Sequence, residues 1–399
     1  MATRIVRTPA PATPAAKTAP KRRNVTPASA ARELGSDELK ALRASVVKRY
    51  GSDLLKRGND IHQPHRIPTG IFTFDYCTLG GIPQSRITMF HGAKHSGKSS
   101  AADRTLGNAQ TSQPEKQAVK VDIEATHDEV WSEKQGVDTE ALLVVQPESG
   151  EQAVDLTVGL IETLDVSLIV VDSLAALVPL KELESSAEDA HVGQAARMIT
   201  SMLRKVTASL VKEKRRGHMV TILVINQERS KIGGWAPAGQ EPLSLPGGKA
   251  LGHFTSLECK FKNKEIKDRD SEGFDTLSAN EHAFTIVKNK CNGGMRTGEY
   301  RMLRRDDPEL GLLEGDIDDA ASMLAFAKKL GWYTGGGQSW TLAFGNYSAT
   351  FRNLAEAVHT LYENREIHWA LRCHLVAHNA EMQKQKTDYI QYILSGSSL

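Results

Sequence analysis

Residues 91–100 read HGAKHSGKSS, and Gly92 to Ser99 fit the spacing G-x-x-x-x-G-K-[ST]. That pattern suits the capture of a phosphate chain. Gly92 and Gly97 let backbone N–H groups wrap the phosphates, Lys98 reaches the β and γ oxygens, and the Ser99 hydroxyl can hold Mg2+. Ala93, Lys94, His95 and Ser96 fill the loop and Ser100 follows it, so the whole run is a candidate nucleotide contact. The same chemistry needs a carboxylate in the Mg2+ shell. LIVVDS at 168–173 ends an apolar run in Asp172, with Ser173 beside it. A group that activates water is needed too. VKVDIEATHDEVW at 119–131 offers Asp122, Glu124, Asp128 and Glu129. Glu124 follows the C-terminal end of a strand, the edge where open α/β sheets bind ligands; a solvated loop acid describes it equally well. Trp131 could stack on a base or belong to the core.

Elements must bring these residues together. GGIPQSRITMFHG predicts a turn and then a strand over Ile87–His91, and SSAADRTLGNAQ predicts a helix, so the phosphate motif falls between strand and helix. A helix N-terminus at that place also faces the anion. KQAVKVDIE and ALLVVQP read as strands and EQAVDLTVGLIETL as an amphipathic helix. VSLIVVDS is nearly all apolar, as in a parallel strand buried on both faces. A long helix, ARMITSMLRKVTASLVKEKRR, and another buried strand, HMVTILVINQ, follow. Alternating strands and helices predict a doubly wound, mostly parallel α/β sheet. Residues 228–249, ERSKIGGWAPAGQEPLSLPGGK, carry Gly and Pro without periodicity, and a loop that long in a compact domain is usually functional or disordered. TSLECKFKNKEI and EHAFTIVKNK alternate like antiparallel strands that extend the sheet. Beyond residue 312 come a helix, a Gly-rich hairpin and one further helix over 353–380, a small α+β domain.

Composition sets limits. The 399 residues can bury one large core plus additions. A net charge of +2 means that any nucleic-acid contact depends on local patches. Cys77, Cys259, Cys291 and Cys373 lie far apart and suggest buried thiols, with no zinc site and no disulfide framework. The longest apolar runs are strand-length, so no membrane span is expected. Residues 1–35 are rich in Ala, Pro and Thr and carry KRR at 21–23; they read as a disordered basic arm. Ser36 then opens a capped amphipathic helix, SDELKALRASVVKRYG, followed by a polar linker.

The order of PTGIFTFD, GGIPQSRI, GAKHSGKSS, QPESGEQAVD, LIVVDSLAALVP, HVGQAARM, VINQERSKIG, PGGKAL and VKNK resembles the RecA family of recombinases, of bacterial or bacteriophage type, over about residues 36–335. The resemblance implies a RecA-like ATPase core at 67–311, a protomer-docking helix and linker at 36–66, a small C-terminal domain at 312–382 and a tail at 383–399. It makes Glu124 the residue that activates water, Lys98 and Gln227 its catalytic companions, and Asp128 and Trp131 adenine-side contacts. Gln227 would sense the γ-phosphate and pass its state into the loop that follows. Ser99, and Asp172 through water, would hold Mg2+. Lys288 and Lys290 of VKNK would reach a neighbouring subunit's ATP.

Single-stranded DNA would meet two loops. Around the first, 181–197, the ligands are Arg197 and Arg204, seven residues apart on one helical face. In the second, Arg229, Lys231 and Lys249 supply charge, Gly247 and Gly248 open the backbone to phosphates, Ile232 is the apolar wedge and Trp235 a stacking candidate. Expected partners are single-stranded and duplex DNA, further copies in a helical filament, a single-stranded-DNA-binding protein and loading mediators. The expected cofactors are ATP and Mg2+, in the cytoplasm of a bacterium or a phage-infected host. A recombination mediator that does not exchange strands, or a ring helicase on the same core, are the alternatives. Lys94 and His95 depart from the usual acidic and small residues of the loop. The second loop is somewhat long, the arm is atypical, and the C-terminus ends without an acidic tail. Together these mark a divergent member.

Overall fold

The computed structural model describes residues 37–50, 64–163, 165–184, 193–230, 243–248, 251–269, 273–291 and 296–382. The basic arm, the linker at 51–63, residues 185–192 of the first expected DNA loop, most of the second and the tail lie outside them. The chain divides into two units, Met1–Ile61 and His62–Leu399. In the first, the expected helix is α1, Asp37–Tyr50, with Leu42 exposed and Val46 and Val47 half-buried.

The second unit is built on nine strands: β1 (Ile87–Gly92), β2 (Gln117–Asp122), β3 (Leu143–Val145), β4 (Val166–Asp172), β5 (Thr221–Gln227), β6 (Leu257–Arg269), β7 (Asp275–Asn289), β8 (Thr297–Leu303) and β9 (Ile317–Asp318). Their order is β9-β8-β7-β6-β1-β5-β4-β2-β3. The six from β6 to β3 are mutually parallel, and β7, β8 and β9 add on antiparallel. The fold is thus the expected α/β, RecA-like core with a mostly parallel sheet. Alternation along the central strands explains its two helical layers. Leu168, Val170, Leu223, Ile225 and Phe90 face one core, made with α2 (Phe72–Thr78) and α3 (Lys98–Ser112). Ile169, Val171, Ile222, Val224 and Met89 face the other, made with α5 (Gly150–Thr163) and α6 (Gln194–Arg215). The short α4 spans Glu129–Lys134 between β2 and β3. Strands buried on both faces need apolar residues at every position, which is why VSLIVVDS reads as a continuous run.

The sheet extends further than the alternating segments suggest. β6 and β7 are 13 and 15 residues long and pair along their whole length. The outer half of β6, from Lys262, is mostly exposed, so polar residues line both its faces and no buried stripe marks it. The C-terminal region holds α7 (Ala320–Lys329), a three-stranded antiparallel sheet of β10 (Tyr333–Gly336), β11 (Ser339–Phe344) and β12 (Tyr347–Phe351), and then two helices, α8 (Leu354–Glu363) and α9 (Arg365–Met382). The single helix expected over 353–380 is broken at Asn364, whose side chain accepts the Ile367 N–H as a cap for α9. α2 joins the two parts. Phe74 packs in the main core, while Phe72 enters the C-terminal cluster edge-on to Phe326 at 5.5 Å. All four cysteines are buried free thiols. Among the described residues, no helix is long and apolar enough to cross a membrane.

Candidate nucleotide-binding site

The phosphate motif joins the end of β1 to the start of α3. Both of its glycines are required by contact. A Cβ on Gly92 would come 2.4 Å from the Phe261 carbonyl oxygen, and one on Gly97, at φ +88°, would come 2.4 Å from the His282 ring. Lys98 Nζ donates to the Ala93 carbonyl at 2.6 Å and to Ser96 Oγ at 3.2 Å. Burial pulls its pKa down, and the carboxylates of Asp172, Glu124 and Glu228 pull it back up.

Around the motif lies a cleft of about 560 Å3, lined by residues 94–100 together with Glu124, Asp172, Ser173 and Gln227. Strand register explains their meeting. Asp122 sits opposite Asp172 across β2 and β4, and Gly92 opposite Gln227 across β1 and β5. The C-terminal ends of four adjacent parallel strands therefore share one level, the usual ligand edge of such a sheet.

The four candidate acids have different tasks. Asp122 is buried and accepts the N–H groups of Thr126 and His127 and the amide of Gln146. It curls the loop after β2. Glu124, in that loop, reaches the cleft and accepts a hydrogen bond from Ser173 Oγ. Asp128 caps α4 by accepting the Trp131 N–H at 2.9 Å, and Glu129 is exposed. Trp131 joins the core at its rim and also touches the motif. Its indole N–H donates to Ser100 Oγ at 3.0 Å, and the Arg304 guanidinium lies 4.5 Å above its ring. Neither Asp128 nor Trp131 is among the residues that line the cleft.

Ser99 and Asp172 both line the cleft. Burial pushes the Asp172 pKa up to about 6, against Lys120 and Ser99, which lower it. A hydroxyl and a carboxylate at the mouth of a phosphate loop are oxygen donors of the kind Mg2+ takes, so Ser99 and Asp172 would hold it there.

Gln227 ends β5 at the cleft, and its N–H donates to Asn226 Oδ1 at 3.0 Å. Asn226 in turn donates to the Pro246 carbonyl at the far end of the 228–249 segment. Arg229–Ser230 pairs with Leu243–Ser244, so the root of that segment is a short antiparallel ladder. Arg229 Nη2 donates to the Ala175 carbonyl at 2.8 Å. Gly247 is buried at φ +89°. The Gly248 N–H is taken by the Leu245 carbonyl at 3.0 Å and does not stand open for a phosphate; a tight turn uses it. Arg197 and Arg204 are exposed on α6. Lys231, Ile232, Trp235 and Lys249 lie outside the described residues.

Lys288 and Lys290 do not enter this cleft. Lys288 Nζ donates to the carbonyls of Thr255 and Gly252, and Lys290 Nζ to that of His253 at 3.1 Å. Both ammonium groups serve carbonyls at the C-terminal end of the short helix Leu251–Phe254 and the residue after it, and Lys288 also pairs with Glu258 at 3.4 Å.

Motif reading missed His282 and Arg304. His282 Nδ1 contacts the Ser96 carbonyl at 3.1 Å and the ring lies 5.0 Å from Tyr300. Burial lowers its pKa to about 4, against the Ser96 contact, which raises it. A signal was present: the period-two pattern puts His282 on the same face as Phe284 and Ile286, a polar residue at an inward position.

A family model described as the RecA N-terminal domain matches residues 38–306. Protein RecA of Nocardia farcinica is 35% identical over 296 residues, covering 73% of this chain and 80% of that protein. Protein RecA of Rhodococcus jostii is also 35% identical, with the same coverage. Protein RecA of Bifidobacterium breve is 34% identical over 73% of this chain and 71% of its own. With the model matching most of the chain and these relatives spanning nearly three quarters of it, the chain belongs to the RecA family of recombinases.

Proposed function

We propose that this chain is an ATP-dependent homologous recombinase. It polymerises on single-stranded DNA, samples duplex DNA for homology and exchanges strands, and DNA stimulates its ATP hydrolysis. One observation carries the reading: Lys98, Ser99, Asp172, Glu124 and Gln227 share one cleft, and Gln227 leads directly into the 228–249 segment.

In this reading Lys98 binds the β and γ phosphates, giving up its bonds to Ala93 and Ser96. Ser99, and Asp172 through water, would hold Mg2+, which would neutralise charge on the phosphates. Glu124, steadied by Ser173, takes the proton of the attacking water. Asp128 and Trp131 flank the adenine, with Trp131 tied to the motif through Ser100. Gln227 reports the γ-phosphate to the segment that follows it. Lys288 and Lys290 exchange their own helix carbonyls for a neighbouring subunit's phosphates. Arg197, Arg204 and Arg229, with Lys231 and Lys249, contact the DNA backbone, so affinity falls steeply with salt. Sequence specificity comes from Watson–Crick pairing and needs no base-reading side chain. Further copies in a filament, a single-stranded-DNA-binding protein and loading mediators are the proposed partners, and the cytoplasm the proposed compartment.

Strand exchange tests this. A labelled single strand is incubated with homologous or heterologous duplex, Mg2+ and ATP. Joint molecules that need both homology and ATP are expected. DNA binding without joints would point to a mediator, and separation of a forked duplex without a homologous strand would point to a ring motor.

A further inference from the structure

The 228–249 segment opens with Glu228, whose side chain is only 7% exposed. Its Oε1 accepts from His91 Nδ1 at 3.1 Å and from Lys260 Nζ at 2.8 Å. Its backbone N–H donates to the Gly92 carbonyl at 3.0 Å. His91 and Lys260 sit opposite each other across β1 and β6. A buried carboxylate thus draws together the strand that enters the phosphate loop, its neighbour β6, and the first residue past Gln227. The next residue, Arg229, is bonded to the carbonyl of Ala175, in the turn after Asp172 and Ser173.

We propose that Glu228 is a positioning residue that couples the phosphate loop to the 228–249 segment, fixing the root of that segment to β1 through His91 and to β6 through Lys260. The inference rests on the recombinase reading and names a means by which its cleft and its DNA segment communicate. The physical reason is the burial of the joint. Attraction between Glu228 and Lys260 is strong where water is scarce. Removing Lys260 leaves the buried Glu228 carboxylate with the neutral N–H of His91 as its remaining side-chain partner, a costly arrangement, so the joint favours being fully made. A shift of the Gly92 end or of the turn after Ser173 must then move residues 228–230. An apolar contact at this place would let the two parts slide.

The test compares full-length wild type, Glu228→Gln, Lys260→Gln, and the exchanged pair Glu228→Lys with Lys260→Glu. Steady-state ATP hydrolysis is measured with and without poly(dT), alongside thermal unfolding. In Glu228→Gln the ratio of DNA-stimulated to basal kcat falls by about tenfold, an ordinary size for coupling between sites. Lys260→Gln moves the ratio the same way, and the exchanged pair recovers it. Full stimulation in Glu228→Gln would overturn the proposal and leave the recombinase reading intact. So would a loss that follows the unfolding temperature and is not recovered by the exchange, since a merely structural residue behaves that way. A wild type indifferent to DNA would overturn the recombinase reading and this proposal with it.

Discussion

His282 shows how much one buried ring can matter to a phosphate loop. It fills the space that a side chain at Gly97 would need, and it holds the Ser96 carbonyl. Burial keeps it neutral down to about pH 4, whereas in an unfolded chain it protonates near pH 6.5. Between those values the unfolded chain binds the extra proton, so stability falls as pH drops through the window and levels off below it. The loss is at most about 3 kcal/mol. Chemical denaturation at a series of pH values should show that slope in wild type and a flatter one in His282→Gln; equal slopes would refute the assignment. Lys98 and Ser99 fall in the cleft as their spacing in the phosphate motif implies, and Asp172 as its place at the end of an apolar strand implies. Glu124 was not separable from Asp122, Asp128 and Glu129, since four acids after one strand look alike in sequence. Hydrogen bonding separates them: Asp122 holds its loop, Asp128 caps a helix, and Glu124 faces the cleft.

Elements read well from sequence where burial imposes a period, and poorly where it does not. The apolar runs at 166–172 and 221–227 became the central strands β4 and β5. The outer half of the β6–β7 hairpin is held by ladder bonds between polar residues, so period-two apolarity fades while the strands continue. Asn364 broke an expected helix by capping the next one, and a lone cap residue inside a long periodic stretch is easily passed over. α2 has an outsized role for seven residues. Phe72 is fully buried in the C-terminal cluster although it belongs to the segment before the phosphate loop. Phe72→Ala should cost about 3–5 kcal/mol. Hydrogen exchange should show the loss concentrated in α7, α9 and the β10–β12 sheet, with β1, β4 and β5 protected as in wild type. A loss spread evenly over both regions would contradict this division.

At the scale of the whole molecule, the proposed function depends on contacts between copies. On α1, Leu42 is 59% exposed, and a docking helix needs such a residue free to meet the next protomer. Leu42→Asp should weaken filament assembly on long single strands by about tenfold or more, a desolvated charge being costly at an apolar contact. Nucleotide affinity of the unassembled chain should stay unchanged, as light scattering and equilibrium binding would show; assembly equal to wild type would remove α1 from the interface. The central claim is that ATP turnover and DNA binding are linked through Glu124, Gln227 and the 228–249 segment. ATP hydrolysis with and without single-stranded DNA, on wild type and Glu124→Gln, tests it most directly. The account predicts strong stimulation in wild type, and in Glu124→Gln a turnover lowered by about a hundredfold or more, as for loss of a general base, while ATP-dependent DNA binding persists. A wild-type rate indifferent to DNA, or a Glu124→Gln rate equal to wild type, would contradict it.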